Sequence, residues 1–281
     1  MRSNRSLALL AGITLLASCT TLSADPAASG QTIVNHGNPL FRDRYTADPA
    51  PLVVGDTLYL YVGHDEARGE QMFNITEWLA YSTKDMQTWT FHGPIMKPTD
   101  FSWVEKDAWA SQVHEKDGKF WFYTAVEHDP AGSHGKSIGV AVAESPLGPF
   151  RDAKGRALVR NEDTQGPHHW DDIDPTVWTE EDGTSWLIWG NGNCYMARLK
   201  PNMIEFDGSI RQIELKKAPS VSETLDWART LLLLGVQQID AETARSTINI
   251  LLKYQSDIVK ALRELEDAKS DMAKDTAATS S

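Results

Sequence analysis

The stretch "ADPAPLVVGDTLYLYVG", Ala47 to Gly63, decides the fold. Two β-branched and aromatic runs flank a Gly-Asp step, which is the pattern of a strand, a tight turn and a returning strand. The same pattern recurs in "WASQVHEKDGKFWFYTA" from Trp109 and in "IDPTVWTEEDGTSWLIWG" from Ile173. Stacked on their turns, the three segments put Asp48, Ala110 and Asp174 at equivalent places, 62 and then 64 residues apart. A fixed period of this kind marks a blade of a β-propeller. The segments "LAYSTKDMQTWTFHGPI", "IGVAVAESPLGPFRDA" and "CYMARLKPNMIEFDGSIRQI" follow the hairpins and supply outer strands, so that each blade has about four.

The strand pattern runs from about Asn38 to Leu215, room for just under three such units, whereas a closed ring takes four to eight. From Lys216 the chemistry changes, with Leu, Ile and Ala recurring at helical spacing. Ser220 with Glu223 forms a capping box, Gly235 stands where a helix would end, and Asp240 and Ser256 are placed to cap two further helices. The predicted fold is therefore mainly β: an incomplete propeller over residues 35–215, then a small α-helical segment over 216–268. The small polar tail 269–281 is expected to be disordered.

Acidic residues outnumber basic ones by 39 to 27, a net charge of −12, which disfavours a nucleic-acid partner because phosphate must be neutralised by excess Lys and Arg. A neutral or cationic ligand fits better. Ten tryptophans and seven tyrosines fill a core or stack on sugar rings, and composition alone leaves both readings open. The start carries Arg2 and Arg5 ahead of an apolar run from Leu7 to Ala17, the pattern of a signal peptide over residues 1–24 and too short for a mature spanning helix. Within it, "LASC" ending at Cys19 resembles a lipobox, so either a lipidated Cys19 attached to the membrane or plain cleavage near Ala24 is expected, and both imply export to the periplasm or the outer membrane. Cys194 has no partner for a disulfide in the mature chain and is expected to be a small apolar packing residue.

An Asp-Pro step by itself is an ordinary turn start. Two in register, at Asp48 and Asp174, would aim two carboxylates into one channel, and paired carboxylates are what glycoside hydrolysis requires. The cluster "HHWDDID" from His168 alternates along an extended run, so its side chains need not converge, and no metal or cofactor is expected.

The elements "NPLFRDRYTADPAP", "YVGHDE", "STKDMQTWTFHG", "DAWASQV", "KSIGVAVAESPLGPFRDA" and "DDIDPTVWTEEDGTSWLIWGN" together resemble glycoside hydrolase family 43 over about residues 35 to 213. Members of that family are five-bladed propellers that remove arabinofuranose or xylose from plant polysaccharides. The resemblance implies about three of five blades, an oligosaccharide or polysaccharide substrate and an inverting mechanism. It implies that Asp48 is the general base and that Asp174 tunes the pKa of the general acid. It further implies that Trp109, in a "WA" step where the family more often has "WAPE", lines the sugar pocket, with His64 and Asp65 near its mouth. The family's general-acid Glu belongs to a later "EGP"-type segment that would follow "DGSIRQIEL", and nothing here matches it. The acid is therefore unknown and activity is expected to be impaired. Glu127 and Glu66 read as holders of hydroxyls or loops, and Glu223 as a helix cap. The alternative is a non-catalytic carbohydrate-binding surface lipoprotein or a chimeric relic.

The tail from "KKAPSVSETLDWARTLLLLG" resembles the C-terminal lid helices of MoxR-type AAA+ ATPases. No G-x-x-x-x-G-K-[ST] phosphate loop accompanies it, so ATP hydrolysis is not expected, and a helix-docking partner is left unnamed.

Overall fold

The structure is a computed structural model, and it describes residues 30–128, 135–164, 166, 169–217, 219–237 and 239–263. The expected signal segment with Cys19 and the tail 269–281 lie outside the described residues, as does His168.

Three antiparallel sheets follow one another along the chain. The first joins β1 (Thr32–Val34), β2 (Tyr45–Val54), β3 (Thr57–Asp65), β4 (Ile75–Thr83) and β5 (Thr88–Met96) in the order β1-β5-β4-β3-β2. The second is the meander β6 (Ser111–Lys116), β7 (Lys119–His128), β8 (Gly135–Ala143) and β9 (Arg151–Asp152). The third is the meander β10 (Thr176–Thr179), β11 (Ser185–Trp189), β12 (Cys194–Leu199) and β13 (Arg211–Ile213). Helices α1 (Val221–Leu233) and α2 (Ala241–Leu251) come after the last strand, and residues 255–263 are also helical. The fold is thus mainly β with a short helical segment. Among the described residues the sheets are open, with no strand closing them into a ring.

The first two hairpins turn as expected, through Gly55-Asp56 between Val54 and Thr57 and through Asp117-Gly118 between Lys116 and Lys119. The third does not. Thr179 pairs with Ser185, which leaves a five-residue loop closed by Glu180 and Thr184. Strand β1 lies ahead of the expected domain start at residue 35 and adds a fifth strand to the first sheet.

The sheets pack in sequence order because the middle one is apolar on both faces. Alternate residues of a strand point to opposite faces. Phe122 and Val126 of β7 therefore meet Tyr61, Trp78 and Ala80 of the first sheet, while Tyr123 of the same strand meets Leu187, Trp189 and Tyr195 of the third. Strand β8, buried along nearly its whole length, ends in the apolar run "IGVAVA" for the same reason. Each fully buried aromatic here contributes about 2 to 3 kcal/mol relative to exposure. Polar straps add register: the Tyr123 hydroxyl donates to Met203 O at 2.8 Å, and His114 Nε2 lies 2.7 Å from Thr179 Oγ1. A further cluster, in which Phe41 stacks on Tyr81 at 3.8 Å between centroids, covers the outer face of the first sheet.

The helix caps follow local chemistry. Ser220 Oγ accepts the Glu223 N–H while Glu223 Oε2 accepts the Ser220 N–H, and Asp240 Oδ1 accepts the Thr243 N–H. Gly235, at φ 68°, ends α1 in the left-handed conformation that favours glycine. Ser256 caps nothing; it lies inside the last helical run. Its neighbour Asp257 is buried and accepts the backbone N–H groups of Lys216 and Lys217 at 2.9 and 3.1 Å, tying that run to the segment that enters α1. Cys194 is a free, half-buried thiol in β12.

Candidate active site

Both Asp-Pro steps build the same local device. Strand β2 pairs with β3 as Ala47 to Gly63 and then as Ala50 to Tyr61, so Asp48 and Pro49 together oppose Val62 in a β-bulge. Proline has no N–H to give the ladder, and a bulge is where a strand tolerates it. Ahead of β10, Ile173 O accepts the Gly190 N–H at 2.8 Å and Thr176 pairs with Ile188, so Asp174 and Pro175 together oppose Trp189. The backbone is left-handed at both aspartates, with φ 51° at Asp48 and φ 57° at Asp174. Asp tolerates that conformation better than most residues, although it costs about 1 to 2 kcal/mol. In the second sheet Ala125 O accepts the Trp109 N–H while the Ala125 N–H donates to Ala110 O, so the register slips there as well, but the equivalent Ala110 brings no carboxylate.

The two bulges meet at one cavity of about 320 Å³, whose wall includes Asp48, Asp65, Trp109, Ala110 and Asp174, with Ala47, Phe73, Ile75 and Ile173 completing it. Neither Asp48 nor Asp174 hydrogen-bonds to a described residue. Burial raises the Asp48 carboxyl above its ordinary range. Burial also raises Asp174, and the charge of Asp48 raises it further. Each carboxylate therefore holds a proton more readily than a solvated one. Asp65 is engaged otherwise: its Oδ1 accepts the N–H groups of Ala67 and Asn74, both at 2.9 Å, and so shapes the loop that carries Phe73. The Phe73 ring meets Trp109 edge-on at 4.9 Å, and Trp109 O accepts from Trp78 Nε1 at 2.8 Å.

His64 is not where the sequence reading puts it. It neighbours Asp65 in β3 and points to the other face of the strand, away from the cavity wall. There its Nδ1 lies 3.0 Å from Glu77 Oε1, and Glu77 Oε2 lies 3.4 Å from Lys97 Nζ. Glu66, Glu127 and Glu223 do not border the cavity. Glu66 Oε2 accepts from Thr76 Oγ1 at 2.9 Å, Glu127 pairs with Lys136 at 2.7 Å, and Glu223 caps α1 with its carboxyl held down to about 2 by Lys217 and by the Ser220 N–H. Phe73 and Ile75 belong to the wall but carry no signal in the sequence, because only the fold of the loop before β4 and the entry of that strand brings them there.

Just ahead of Asp174, Asp172 is fully buried. Its Oδ1 accepts from Trp189 Nε1 at 2.8 Å and its Oδ2 from Thr164 Oγ1 at 2.7 Å. Burial pushes its carboxyl up to about 6, aided by the charge of Asp171, while the two hydrogen bonds pull the other way. Among the described residues, no group of three His, Cys, Asp or Glu side chains is placed to hold a metal ion.

Residues 36–228 match the family model described as Glycosyl hydrolases family 43. The chain belongs to this family. Among curated relatives, it is 32% identical over 172 residues to the xylosidase/arabinosidase 43A of Humicola insolens, covering 56% of this chain and 48% of that one. It is 31% identical over 207 residues to the arabinoxylan arabinofuranohydrolase of Bacillus subtilis strain 168, covering 64% of this chain and 38% of that one. The chain thus spans about half, or less, of the length of these relatives. Among solved structures, the alpha-L-arabinofuranosidase of Clostridium thermocellum superposes with a TM-score of 0.52 at 31% identity, over 64% of this chain and 61% of that one. A family 43 enzyme of Xanthomonas citri complexed with xylose, at 22% identity and a TM-score of 0.52, shares the fold over 66% of this chain and 57% of its own.

Proposed function

We propose that this family 43 chain acts on arabinofuranosyl or xylosyl units of arabinoxylan by hydrolysis with inversion, the cavity at the two bulges taking the terminal sugar. The observation that carries the reading is the paired Asp-Pro bulge, which puts two desolvated carboxylates, neither hydrogen-bonded to a described residue, on one sugar-sized cavity beside a tryptophan. In this reading Asp48 is the general base: it takes a proton from a water as that water's oxygen bonds to the anomeric carbon, on the face opposite the departing oxygen. A base whose pKa is raised toward the working pH is a stronger one while still ionised. Asp174 is the second carboxylate, tuning the field around the scissile bond. Relatives named as xylosidases and arabinofuranohydrolases support the pentose assignment. The three sheets, in this reading, are three successive propeller blades, with β2, β6 and β10 innermost.

A second reading, sugar binding without turnover, draws on one feature. Among the described residues that border the cavity, Asp65 is the remaining carboxylate after Asp48 and Asp174, and it is occupied by two backbone N–H groups. The leaving oxygen then has no evident proton donor. Losing a general acid forfeits a factor of about 10² to 10⁴ in rate, less where the leaving group departs without protonation.

Hydrolysis of an aryl arabinofuranoside and an aryl xyloside, beside an arabinoxylan oligosaccharide, separates these readings. Aryl turnover that Asp48→Ala abolishes, with the oligosaccharide untouched, is the expected result. Silence on all three from a folded chain that still binds pentose would transfer the assignment to binding alone. Export through the leader, with lipidation at Cys19, fits a substrate that lies outside the cell. The likeness of the tail to ATPase lid helices is a reading of sequence alone, and the family match extends to residue 228, inside α1.

A further inference from the structure

Outside the cavity, behind its tryptophan, lies a charged cluster that the proposed chemistry leaves unused. Lys136 of β8 has a side chain only 4% exposed. Its Nζ lies 2.6 Å from Asp107 Oδ2 and 2.7 Å from Glu127 Oε2. The same nitrogen sits over the Trp109 ring, 3.8 Å from its centroid. Lysine is almost never buried this fully unless paired, and a buried ion pair gains little over well-packed apolar side chains of the same volume. Stability alone is therefore a poor reason to keep the cluster, and its place behind Trp109 offers another.

We infer that Lys136 is a positioning residue: it holds Trp109 in the orientation that forms the aromatic wall of the cavity. The inference rests on the reading of that cavity as a pentose site. Trp109 borders the cavity, whereas Lys136, Asp107 and Glu127 do not, so the lysine acts through the ring. A cation centred over an indole face is attracted by the ring quadrupole and resists tilting of the plane. The two carboxylates place the cation, and the residues that carry them also fix the segment that leads to Trp109 through their backbones. Glu127 bridges its start, accepting the Glu105 N–H on its carbonyl at 3.1 Å and donating to Lys106 O at 2.9 Å. Asp107 lies within it at φ 65°, a left-handed turn that redirects the chain two residues before Trp109. The Phe73 edge meets the same ring. The Lys136 backbone N–H donates to His169 O at 2.8 Å, just ahead of the stretch that ends in Asp174. One residue thus joins the aromatic wall to the approach of the second carboxylate. A sugar that packs on a fixed ring loses less freedom on binding than one that must order the ring as well.

The test uses the full chain labelled with ¹⁵N at tryptophan. The Trp109 indole cross-peak is assigned by its loss in Trp109→Phe. In a neutralised variant, Lys136→Met with Asp107→Asn and Glu127→Gln, no buried charge is stranded. That peak should move, KM for an aryl pentoside should rise about tenfold, and kcat should stay within about twofold, as expected for a lost cation–π contact that served binding. In a Trp109→Ala background the same three substitutions should leave KM where it is. Lys136→Arg keeps the charge and the ion pairs, so it reports even where the neutralised variant does not fold. Its planar cation should still move the indole peak, with a rise in KM of about two- to threefold. An unmoved indole peak in a folded variant, or an equal rise in KM with and without Trp109, overturns the inference. A parent chain that binds neither xylose nor arabinose sinks the pentose reading instead, and the indole peak then decides the coupling of Lys136 to Trp109 by itself.

Discussion

Replacing Asp48 by asparagine should make the folded chain more stable at neutral pH, and the gain should vanish in acid. Asparagine keeps the side-chain shape and accepts the left-handed backbone at φ 51°, so the bulge survives. What it removes is a charge held against desolvation and against a like charge, since Asp174 is raised first by burial and then by Asp48. A volume of about 320 Å³ is that of a sphere about 8 Å across, and two like charges at that separation repel by about 2 kcal/mol at an effective dielectric near 20. Solvent at the open mouth screens part of this, leaving about 1 to 2 kcal/mol. The sign follows from proton uptake. Both carboxyls have folded pKa values above the unfolded 3.8, so the folded chain binds more protons than the unfolded one as pH climbs past 3.8, and stability is lost through that window. Asp48→Asn removes one of the two groups and lowers the pKa of the other. Urea unfolding of parent and variant from pH 3.5 to 7.5 should give curves that converge at the acid end and separate by about 1 to 2 kcal/mol at pH 7. A variant equally stable at pH 7, or stabilised by the same amount at pH 3.5, would show that the two carboxylates do not share a desolvated cavity.

Asp172 makes a second pH prediction of the same sign. With its folded carboxyl pushed up to about 6, stability should fall between about pH 4 and pH 6 and level off above, by on the order of 1 to 3 kcal/mol. Asp172→Asn should flatten that part of the urea profile, and an unchanged slope would rule the residue out as its source. Tyr123→Phe removes the hydroxyl that donates to Met203 O at 2.8 Å between the second and third sheets. A buried carbonyl left without its donor should cost about 1 to 2 kcal/mol, and a loss below about 0.3 kcal/mol in urea unfolding would mean that this strap does not hold the sheets together.

Local chemistry was legible wherever a feature is decided within a few residues. The two-residue turns at Gly55-Asp56 and Asp117-Gly118, the capping box of Ser220 and Glu223 and the Asp240 cap are all short-range hydrogen-bond problems, and the structure has each where the residues put it. The turn before Ser185 failed the same reasoning because "EEDGT" can close either a two-residue or a five-residue loop, and the pairing of Thr179 with Ser185 chooses. Ser256 failed as a cap because the run begins one residue earlier, with Asp257 turned to the backbone of Lys216 and Lys217 instead. Strand β1 was missed because three residues carry no period, and only the exposed edge of β5 gives them a partner.

The sequence by itself determined the hairpin repeat, the spacing that sets Asp48 and Asp174 in register, and the change from strand to helix after Leu215. Those follow from turn residues, side-chain alternation and helix capping, all of which act along the chain. The tertiary structure decided which neighbours face the cavity and what stands behind its wall. Asp65 and His64 are adjacent in one strand, yet alternation sends one to the cavity and the other to Glu77. Lys136, which the sequence reading did not single out, is buried because Asp107 and Glu127 arrive from other parts of the second sheet's path to compensate it. Charge compensation and ring contact depend on distance in space, which no local pattern encodes.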